Sequence, residues 1–376
     1  MTHVLIVGAS VAGLTTAESL RAQGFDGRIT LLGAERHAPY SRPALSKQVL
    51  SGEWDAAPIR GGAELSGLDA TFRLGRRATG LDPRRREVAV GRERIAYDEL
   101  VIATGAVPRQ PFRASQTLRT IEDAHRLRRL LARGDRIAII GAGVLGCEVA
   151  SSAHAGGCAV TLIARGEGVS LGGLGPPLSE RVGGLLRENG VELRTWAHVV
   201  TVDAAGVRLA DGTIVGASVV VSAVGCTPAV EWLRGSGLEI ADGVVCDVNG
   251  RAADGIHAVG DVAAWTDPSD GRPRRTEHQQ TAILQAQAVA RAIATGAASP
   301  PIEPFFWTTL FGTRILVHGT VRPDAELHVI AGEGDGDRFV FAARREGRVE
   351  ALVGWNMARE FRLARADLLR AEGSLV

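Results

Sequence analysis

Apolar residues near the start of the chain form short unbroken runs separated by a longer segment with helical spacing. The β-branched run 3–8 ends at Gly8, residues 12–23 follow a helical pattern, and residues 28–32 form a second short run. Short apolar runs of this kind are typical of buried strands, and the spacing between them is typical of a helix. The first part of the chain is therefore predicted to be a strand–helix–strand unit.

The same order of elements returns further along the chain. Residues 136–140 predict a strand, 144–156 a helix and 159–163 another strand. Matching strand-like runs follow the two units, at 99–104 and at 218–224. Because strands that alternate with helices favour a parallel sheet covered by helices, we expect two related α/β folds.

The first fold is predicted to resume after the second. A third strand-like run, 255–260, leads to Asp261 and then to a helical pattern over 277–295. From about residue 300, short alternating segments predict strands, and an Arg-rich helix closes the chain. These last elements are 314–319, 326–331, 338–343 and the helix 357–371.

These patterns predict an α/β protein with two Rossmann-like dinucleotide-binding domains and a small α+β domain at the C-terminus. At 376 residues and 45% hydrophobic content, the chain can bury more than one core. The predicted boundaries are 1–112 with 240–302 for the first domain, 113–239 for the second and 303–376 for the third.

Charge and hydropathy restrict the classes of partner. Lys and Arg (43) nearly balance Asp and Glu (42), which argues against nucleic acid or an anionic membrane as the main partner. No apolar stretch approaches the roughly 20 residues that span a bilayer, and no targeting segment is recognisable before the first strand. We expect a soluble, cytoplasmic monomer or homodimer whose partner is a small molecule or another protein.

The four cysteines, Cys147, Cys158, Cys226 and Cys246, are widely separated and form no C-x-x-C pair. Neither a zinc site nor a redox-active dithiol is indicated by this spacing. We therefore expect buried, reduced thiols and no metal site.

The turn after the first strand carries a nucleotide fingerprint, Gly8-Ala-Ser10-Val-Ala-Gly13, and Glu35 lies beyond the next strand. In such a turn Gly8 allows the sharp bend, Gly13 lets helix and strand pack closely, and the start of the helix faces a pyrophosphate. Glu35 can accept hydrogen bonds from ribose hydroxyls. Ser10 replaces the usual middle glycine and is small enough to be tolerated.

A second fingerprint, Gly141-Ala-Gly143-Val-Leu-Gly146, follows the strand 136–140. Two matches in the same strand–turn–helix context are much more specific than one. Where an acid would hold an adenosine ribose, the chain has Ala164 and then Arg165. A guanidinium suits a 2′-phosphate, which favours NADPH over NADH, although Glu167 could still bind the ribose and Arg165 could equally be a surface residue.

Five further motifs are spread along the whole chain. They are Pro39–Lys47 (PYSRPALSK), Leu100–Gly105 (LVIATG), Ala258–Asp261 (AVGD), Glu277-His278, and Pro304–Leu310 (PFFWTTL). Together they resemble the flavoprotein ferredoxin reductases of bacterial cytochrome monooxygenase and Rieske dioxygenase systems, within the glutathione-reductase-like superfamily. The resemblance implies FAD as cofactor, a nicotinamide nucleotide as hydride donor and a ferredoxin-type iron–sulfur protein as electron acceptor.

The resemblance also implies roles for single residues. Lys47 would lie near N5 and O4 of the flavin, Arg42 near the FAD phosphates, and Asp261 at the ribityl chain. Lys47 is the only lysine among 43 Lys and Arg residues, which independently favours a specific role for a compact ammonium. Glu148 would lie where the nicotinamide stacks on the flavin, and Trp307 beside the flavin on the opposite side. The other implied nucleotide contacts are Thr104, Gly105, Gly225, Gly260, Glu277 and His278.

On spacing alone, several of these residues have simpler interpretations. Asp261 could cap a helix, Glu148 could be a charge on a helix surface, and Trp307 could be a core residue among phenylalanines. The chain also departs from the family pattern, in which an acid and Gln follow the hydroxyl residue after the tryptophan. Here the segment reads Thr308-Thr309-Leu310, and Gln279 replaces an aromatic residue. These departures bear mainly on the identity of the electron acceptor.

The function expected from the sequence is hydride transfer from NAD(P)H to FAD, followed by single-electron transfer to a ferredoxin that feeds an oxygenase. The loop 36–50 contains no cysteine, which disfavours a thiol-dependent reductase. A reductase of a quinone or another small acceptor, and a flavin-bound, NAD(P)H-responsive binding protein, stay as alternatives. Two arginine clusters could steer an acidic ferredoxin or could be solvated helix faces. They are Arg126, Arg128, Arg129 and Arg133, and Arg359, Arg362, Arg365 and Arg370.

Overall fold

The computed structural model describes residues 1–171 and 175–373. The helices are α1 (Val11–Ala22), α2 (Gln48–Ser51), α3 (Gly62–Ser66), α4 (Ile121–Leu131), α5 (Val144–Ala155), α6 (Pro176–Glu188), α7 (Gln279–Thr295) and α8 (Ala358–Gly373). Short 3-10 turns cover Arg42–Ala44, Glu231–Leu233 and Gly260–Val262.

The strands are distributed along the whole chain. The first fifteen are β1 (His3–Val7), β2 (Arg28–Leu32), β3 (Thr71–Arg73), β4 (Gly80–Asp82), β5 (Glu87–Val90), β6 (Glu93–Ala96), β7 (Glu99–Ile102), β8 (Ala106–Pro108), β9 (Arg136–Ile140), β10 (Ala159–Ile163), β11 (Glu192–Arg194), β12 (Val199–Asp203), β13 (Gly206–Leu209), β14 (Ile214–Gly216) and β15 (Val219–Ser222). They are followed by β16 (Cys226–Pro228), β17 (Ile240–Ala241), β18 (Gly243–Cys246), β19 (Arg251–Ala253), β20 (Ile256–Ala258), β21 (Ala263–Thr266), β22 (Pro273–Arg275), β23 (Phe305–Leu310), β24 (Thr313–Gly319), β25 (Glu326–Gly332), β26 (Phe339–Arg345) and β27 (Arg348–Trp355).

The chain divides into two compact units, each assembled from three segments. Unit 1 consists of Met1–Ser41, Ala57–Val107 and Cys226–Glu303, and unit 2 of Arg42–Ala56, Pro108–Gly225 and Pro304–Val376. These boundaries differ from the predicted domain limits, because the short segment 42–56 and the C-terminal segment both group with the second fold. The division into three domains stays a prediction.

Unit 1 is built on a six-stranded sheet in the order β19-β20-β7-β1-β2-β3. All neighbours pair in parallel except β19 and β20. Strand β20 returns from late in the chain to pair with β7, so the first fold resumes as predicted. The β1 side chains are buried on both faces, as expected for a parallel sheet covered on both sides.

Each face of β1 contributes to a separate core of unit 1. Val4 and Ile6 pack with apolar residues of α1 and α7. Leu5 and Val7 pack with residues of β5, β6 and β18. The continuous apolar run in the sequence is therefore explained by burial on both sides, which a surface strand would not need.

The Rossmann-like part of unit 2 has a four-stranded parallel sheet in the order β11-β10-β9-β15. Helix α5 packs against β9 and β10. The antiparallel sheet β12-β13-β14 contributes to a core with Ala138, Ile140 and Ile163. The second predicted α/β fold is present, and with the first it confirms the predicted fold class.

The C-terminal part of unit 2 is a five-stranded antiparallel sheet in the order β23-β24-β27-β26-β25. Helix α8 packs on it through Phe361, which is buried against Leu316, Val340 and Leu352. The alternating pattern after residue 300 predicted β24, β25 and β26 within two residues at each end, whereas β23 and β27 were not predicted. The hairpin of β21 and β22, by contrast, lies in a stretch for which no strand was predicted.

Candidate functional site

In unit 1, the expected nucleotide-binding residues lie at the carboxyl edge of the parallel sheet. Gly8 follows β1 with a φ of 125°, and a Cβ atom there would lie 2.0 Å from the carbonyl oxygen of Ala103. Gly13 approaches the Gly8 carbonyl so closely that a Cβ atom would lie 1.8 Å from it. The sharp turn at Gly8 and the close packing at Gly13 are thus present as backbone requirements, and nucleotide binding by these residues stays a prediction. Ser10 is the N-cap residue of α1 and makes no side-chain capping bond, so its hydroxyl is not used to close the helix.

Glu35 lies beyond the end of β2, where an acidic residue was expected. The Tyr40 hydroxyl donates a hydrogen bond to its carboxylate, and the backbone N–H of Gly75 donates to its carbonyl oxygen at 2.7 Å. These two bonds hold both the side chain and the backbone of Glu35. A carboxylate in this position can accept hydrogen bonds from a ribose.

The remaining expected residues of unit 1 follow β7 and β20 at the same edge. The Thr104 hydroxyl donates to the Ala229 carbonyl at 3.0 Å, and Gly105 has a φ of 69°. Gly260 is buried, and its N–H donates to Gln285 of α7 at 2.8 Å. Asp261 follows within the same 3-10 turn.

Helix α7 begins two residues later than predicted. His278 is its N-cap residue and Gln279 its first helical residue, whereas Glu277 lies before the helix and forms an ion pair with Arg275 at 2.6 Å. Burial lowers the pKa of His278 from its ordinary value, which favours the neutral imidazole. The N-terminal end of α7 keeps its partial positive charge with a neutral residue at its cap.

In unit 2, the second fingerprint forms the corner between β9 and α5. Gly141 has a φ of 108°, and a Cβ atom on Gly146 would lie 1.9 Å from the Gly141 carbonyl oxygen. Gly143 is the N-cap residue of α5. Gly225, after β15, is exposed with a φ of 86°. Arg165 and Glu167 are both exposed beyond the end of β10, so either side chain is available to a ligand.

A buried carboxylate is the centre of a polar network in unit 2. Glu148 of α5 is 6% exposed, and its Oε1 lies 2.6 Å from Nζ of Lys47. The Thr308 hydroxyl donates to Oε1 at 2.7 Å, and the Ser46 hydroxyl donates to Oε2 at 2.5 Å. Three donors surround an acceptor-only group, so the carboxylate is fully satisfied despite its burial. The suggestion that Glu148 is a surface charge is wrong.

The same network fixes the only lysine beside an aromatic ring. The Lys47 ammonium also donates to the Pro43 carbonyl at 3.2 Å, and it lies 5.3 Å from the centroid of the Trp307 ring. That distance is within the range of a cation–π interaction. Trp307 is 40% exposed on β23, so it is not a core residue. The structure thus brings together Lys47, Glu148 and Trp307, the three residues that the resemblance implies beside the flavin and nicotinamide rings.

Two members of this network were not singled out from the sequence. Ser46 precedes Lys47 in its motif, and Thr308 follows Trp307, but neither position indicates a bond to Glu148. The Ser152 hydroxyl, one turn after Glu148, donates to the Ser46 carbonyl at 2.6 Å and fixes the segment further. Leu310, one of the residues at which the chain departs from the family pattern, is fully buried on β23, so it does not line an opening.

Arg42 lies elsewhere in unit 2. Its guanidinium donates to the Arg119 carbonyl oxygen at 2.5 Å, at the start of α4. This contact restrains the side chain. The interaction with the FAD phosphates that the resemblance implies for Arg42 stays a prediction.

The cysteines form no disulfide among the described residues, which include all four of them. Burial raises the pKa of the Cys147 and Cys246 thiols to about 12. A thiol with such a pKa is protonated at neutral pH and is a poor nucleophile. Nor do residues 1–171 and 175–373 bring three or more His, Cys, Asp or Glu side chains together as a metal site.

The two arginine clusters differ in how far their charges are already paired. In α4, Arg126 pairs with Asp123 and Arg128 with Asp55, whereas Arg129 is exposed. In α8, Arg365 lies over the Phe305 ring at 5.1 Å and Arg370 pairs with Asp367. Arg359 and Arg362 are exposed. Some arginines of each cluster therefore already have partners within the protein, and the others are exposed to solvent.

None of the helices in the described ranges has the length and apolar character needed to cross a bilayer.

Comparison with known sequences gives long matches. A profile of the pyridine nucleotide-disulphide oxidoreductase family matches residues 2–286. The ferredoxin–NAD(+) reductase subunit of a benzene 1,2-dioxygenase system from Pseudomonas putida is 36% identical over 375 residues, covering 96% of this chain and 91% of the relative. The ferredoxin reductase component of a chlorobenzene dioxygenase from Cupriavidus sp. (strain PS12) is 36% identical over 387 residues, covering 100% of this chain and 94% of the relative.

Comparison with solved structures agrees with these matches. The structure of a covalent complex of putidaredoxin reductase with putidaredoxin includes a chain that superimposes with a TM-score of 0.91 at 29% identity. The match covers 98% of this chain and 93% of that one.

Proposed function

Because the chain belongs to the pyridine nucleotide-disulphide oxidoreductase family, we propose that it is an FAD-dependent ferredoxin reductase that oxidises NADH. The family resemblance expected from the sequence motifs is confirmed. Support for the activity comes from relatives named as ferredoxin reductase components of dioxygenase systems. In the proposed reaction one NADH becomes NAD⁺ and a proton, and two ferredoxins each gain one electron.

The observation that carries this proposal is the network around Glu148. It holds the ammonium of Lys47 2.6 Å from the carboxylate and 5.3 Å from the ring centroid of a half-exposed tryptophan. No thiol takes part in it. Such a site can orient flat redox-active rings and place a positive charge beside them, but it has no nucleophile.

FAD is proposed to be held chiefly by the strand ends of unit 1. The close backbone turn at Gly8 and Gly13 leaves the start of α1 open to a pyrophosphate, and Glu35 is positioned to bind a ribose. Further contacts with FAD, those that the family resemblance implies, are proposed for Ser10, Arg42, Thr104, Gly105, Gly260, Asp261, Glu277 and His278. When bound, FAD supplies the capacity to accept a hydride and to release electrons singly.

Within unit 2, we assign different roles to the three residues of the network. The Lys47 ammonium would donate a hydrogen bond to the flavin edge, and Trp307 would pack against the ring. Glu148 has its carboxylate occupied by three donors, so it acts by positioning Lys47 rather than by transferring a proton.

The nucleotide is proposed to bind at the second fingerprint, through Gly141, Gly143, Gly146, Arg165 and Gly225. The expected preference for NADPH, based on Arg165, is not supported, since the name of the relative from the benzene 1,2-dioxygenase system specifies NAD(+). NADH is therefore the proposed donor, and the exposed carboxylate of Glu167 is available for its ribose. A cytoplasmic location, and a monomer or homodimer, stay predictions.

The test is an anaerobic titration of the FAD-loaded protein, followed by visible absorption, with NADH and NADPH in turn. We expect NADH to bleach the flavin band at lower concentration than NADPH. A 2Fe–2S ferredoxin added next should be reduced with two ferredoxins per NADH. A protein that binds no FAD, or whose flavin NADH does not bleach, would refute the proposed function, and a bleached flavin that reduces no ferredoxin would refute the proposed acceptor.

A further inference from the structure

Trp196 of unit 2 combines exposure with an unfavourable backbone conformation. Its side chain is 69% exposed, more than that of Trp54 at 43% or Trp307 at 40%. Its φ is 53°, in the left-handed region that a bulky side chain rarely adopts. The next residue, Ala197, turns inward and packs against the core of the Rossmann-like part. The fold thus keeps a large apolar ring in solvent where a glycine would relieve the backbone.

The position of Trp196 is fixed by backbone hydrogen bonds to the loop after β10. Its N–H donates to the Gly166 carbonyl at 2.8 Å, and the N–H of Ala197 donates to the Ala164 carbonyl at 3.0 Å. Two residues before Trp196, the Arg194 carbonyl accepts a hydrogen bond from the N–H of Ala164 at 2.7 Å. Trp196 therefore lies beside the segment that contains Arg165.

Trp196 lies at the edge of the sheet where the adenosine end of a dinucleotide is expected. In a Rossmann-like fold the pyrophosphate lies at the turn after the first strand, here β9, and the adenosine ribose at the end of the second, here β10. Strand β11 is the next neighbour of β10 in the sheet. The chain that leaves β11 thus places Trp196 next to the strand end at which the adenosine is expected.

We infer that Trp196 is a binding residue for the adenine ring of the nicotinamide nucleotide. An indole and a purine are flat aromatic surfaces of similar size, and stacking between a base and an aromatic side chain is sequence-tolerant and favourable. The solvent-exposed Arg165 on the neighbouring loop adds a cation at the same place. This inference rests on the proposed function, since it concerns the nucleotide of that reaction.

The test compares two hydride donors, NADH and reduced nicotinamide mononucleotide, which lacks the adenosine half. For Trp196→Ala we expect the KM for NADH in flavin reduction to rise roughly tenfold, the factor that about 1.4 kcal/mol of stacking supplies, with kcat little changed. Trp196→Phe should show a smaller rise. The KM for the mononucleotide should be the same in all three proteins.

A second variant separates binding from folding. Trp196→Gly removes the ring and relieves the left-handed backbone, so it should be at least as stable to heat as Trp196→Ala while losing the same affinity for NADH. An unchanged KM for NADH in Trp196→Ala, or an equal rise for the mononucleotide, would overturn the inference. A wild-type flavin that NADH does not reduce would refute the proposed function instead.

Discussion

At the scale of single residues, the site depends on matching hydrogen-bond donors to one acceptor. The Glu148 carboxylate meets the Ser46 hydroxyl, the Thr308 hydroxyl and the Lys47 ammonium. All three are donors in this arrangement, and a carboxylate is the side chain that accepts from all of them without donating itself. The network thus specifies both the identity of residue 148 and the position of the lysine.

Replacing Glu148 with glutamine tests this match. The amide would point an NH₂ group at one or more donors and remove the charge opposite Lys47, so we expect Glu148→Gln to lower the free energy of unfolding by about 1–3 kcal/mol. Displacement of Lys47 should slow flavin reduction by NADH roughly tenfold or more. Urea unfolding and stopped-flow absorbance measure the two effects.

The control is Glu188→Gln, the same change at an exposed position of α6. We expect Glu188→Gln to change the free energy of unfolding by no more than about 0.5 kcal/mol. The rate of flavin reduction by NADH should change by no more than the factor that corresponds to the same free energy. Wild-type stability and rate in Glu148→Gln would contradict the role of the carboxylate.

At the scale of elements, each nucleotide-binding fold depends on a corner where a strand ends and a helix begins. In both corners the last glycine of the fingerprint leaves no room for a Cβ atom, which would lie 1.8 Å from a carbonyl oxygen at Gly13 and 1.9 Å at Gly146. The contact is with backbone, so it cannot be relieved by rotating a side chain. The packing of helix on strand is therefore tied to the shape of the turn.

Gly146→Ala should separate α5 from the turn at Gly141. Because backbone must shift to accept the methyl group, we expect a loss of about 1–3 kcal/mol in unfolding free energy and weaker binding of NADH. Gly184→Ala, in helix α6, is the matched control, since nothing lies within 4 Å of its Cβ position. It should be neutral or stabilising by about 0.4–1 kcal/mol. If the two variants behave alike, the close approach is not what the fingerprint requires.

At the scale of the whole molecule, buried and partly buried histidines in both units make stability depend on pH. Burial lowers the pKa of His3 and His278 in unit 1. In unit 2 burial, with the nearby Arg365, lowers the pKa of His318 to about 4. The unfolded chain binds protons at these groups at higher pH than the folded chain does, so unfolding is favoured as the pH falls.

We therefore expect the free energy of unfolding to decrease between about pH 6.5 and pH 4, with His318 contributing up to about 3 kcal/mol as an order of magnitude. Urea unfolding at several pH values measures the slope. Because His318→Gln no longer titrates at this position, its slope over that window should be smaller than that of the wild type, whatever its absolute stability. An identical slope would show that His318 does not link folding to protonation.

Much of the local structure was determined by the sequence itself. The strands β1, β2, β9 and β10 were located within a residue or two, because buried parallel strands need continuous apolar runs. The fingerprint turns were also recognisable, because the backbone constraints on Gly8 and Gly141 act over a few neighbouring residues. The only lysine could be singled out from composition alone.

The tertiary structure decided which distant residues meet. Ser46 and Thr308 lie 102 and 160 positions from Glu148, and no local pattern connects them. The packing of α2 and β23 against α5 brings them to one carboxylate. The exposure of Trp196 likewise follows from how the chain after β11 pairs with the loop after β10. Local spacing sets turns and periodicity, whereas the partners of a side chain depend on how whole elements pack, which the sequence encodes only collectively.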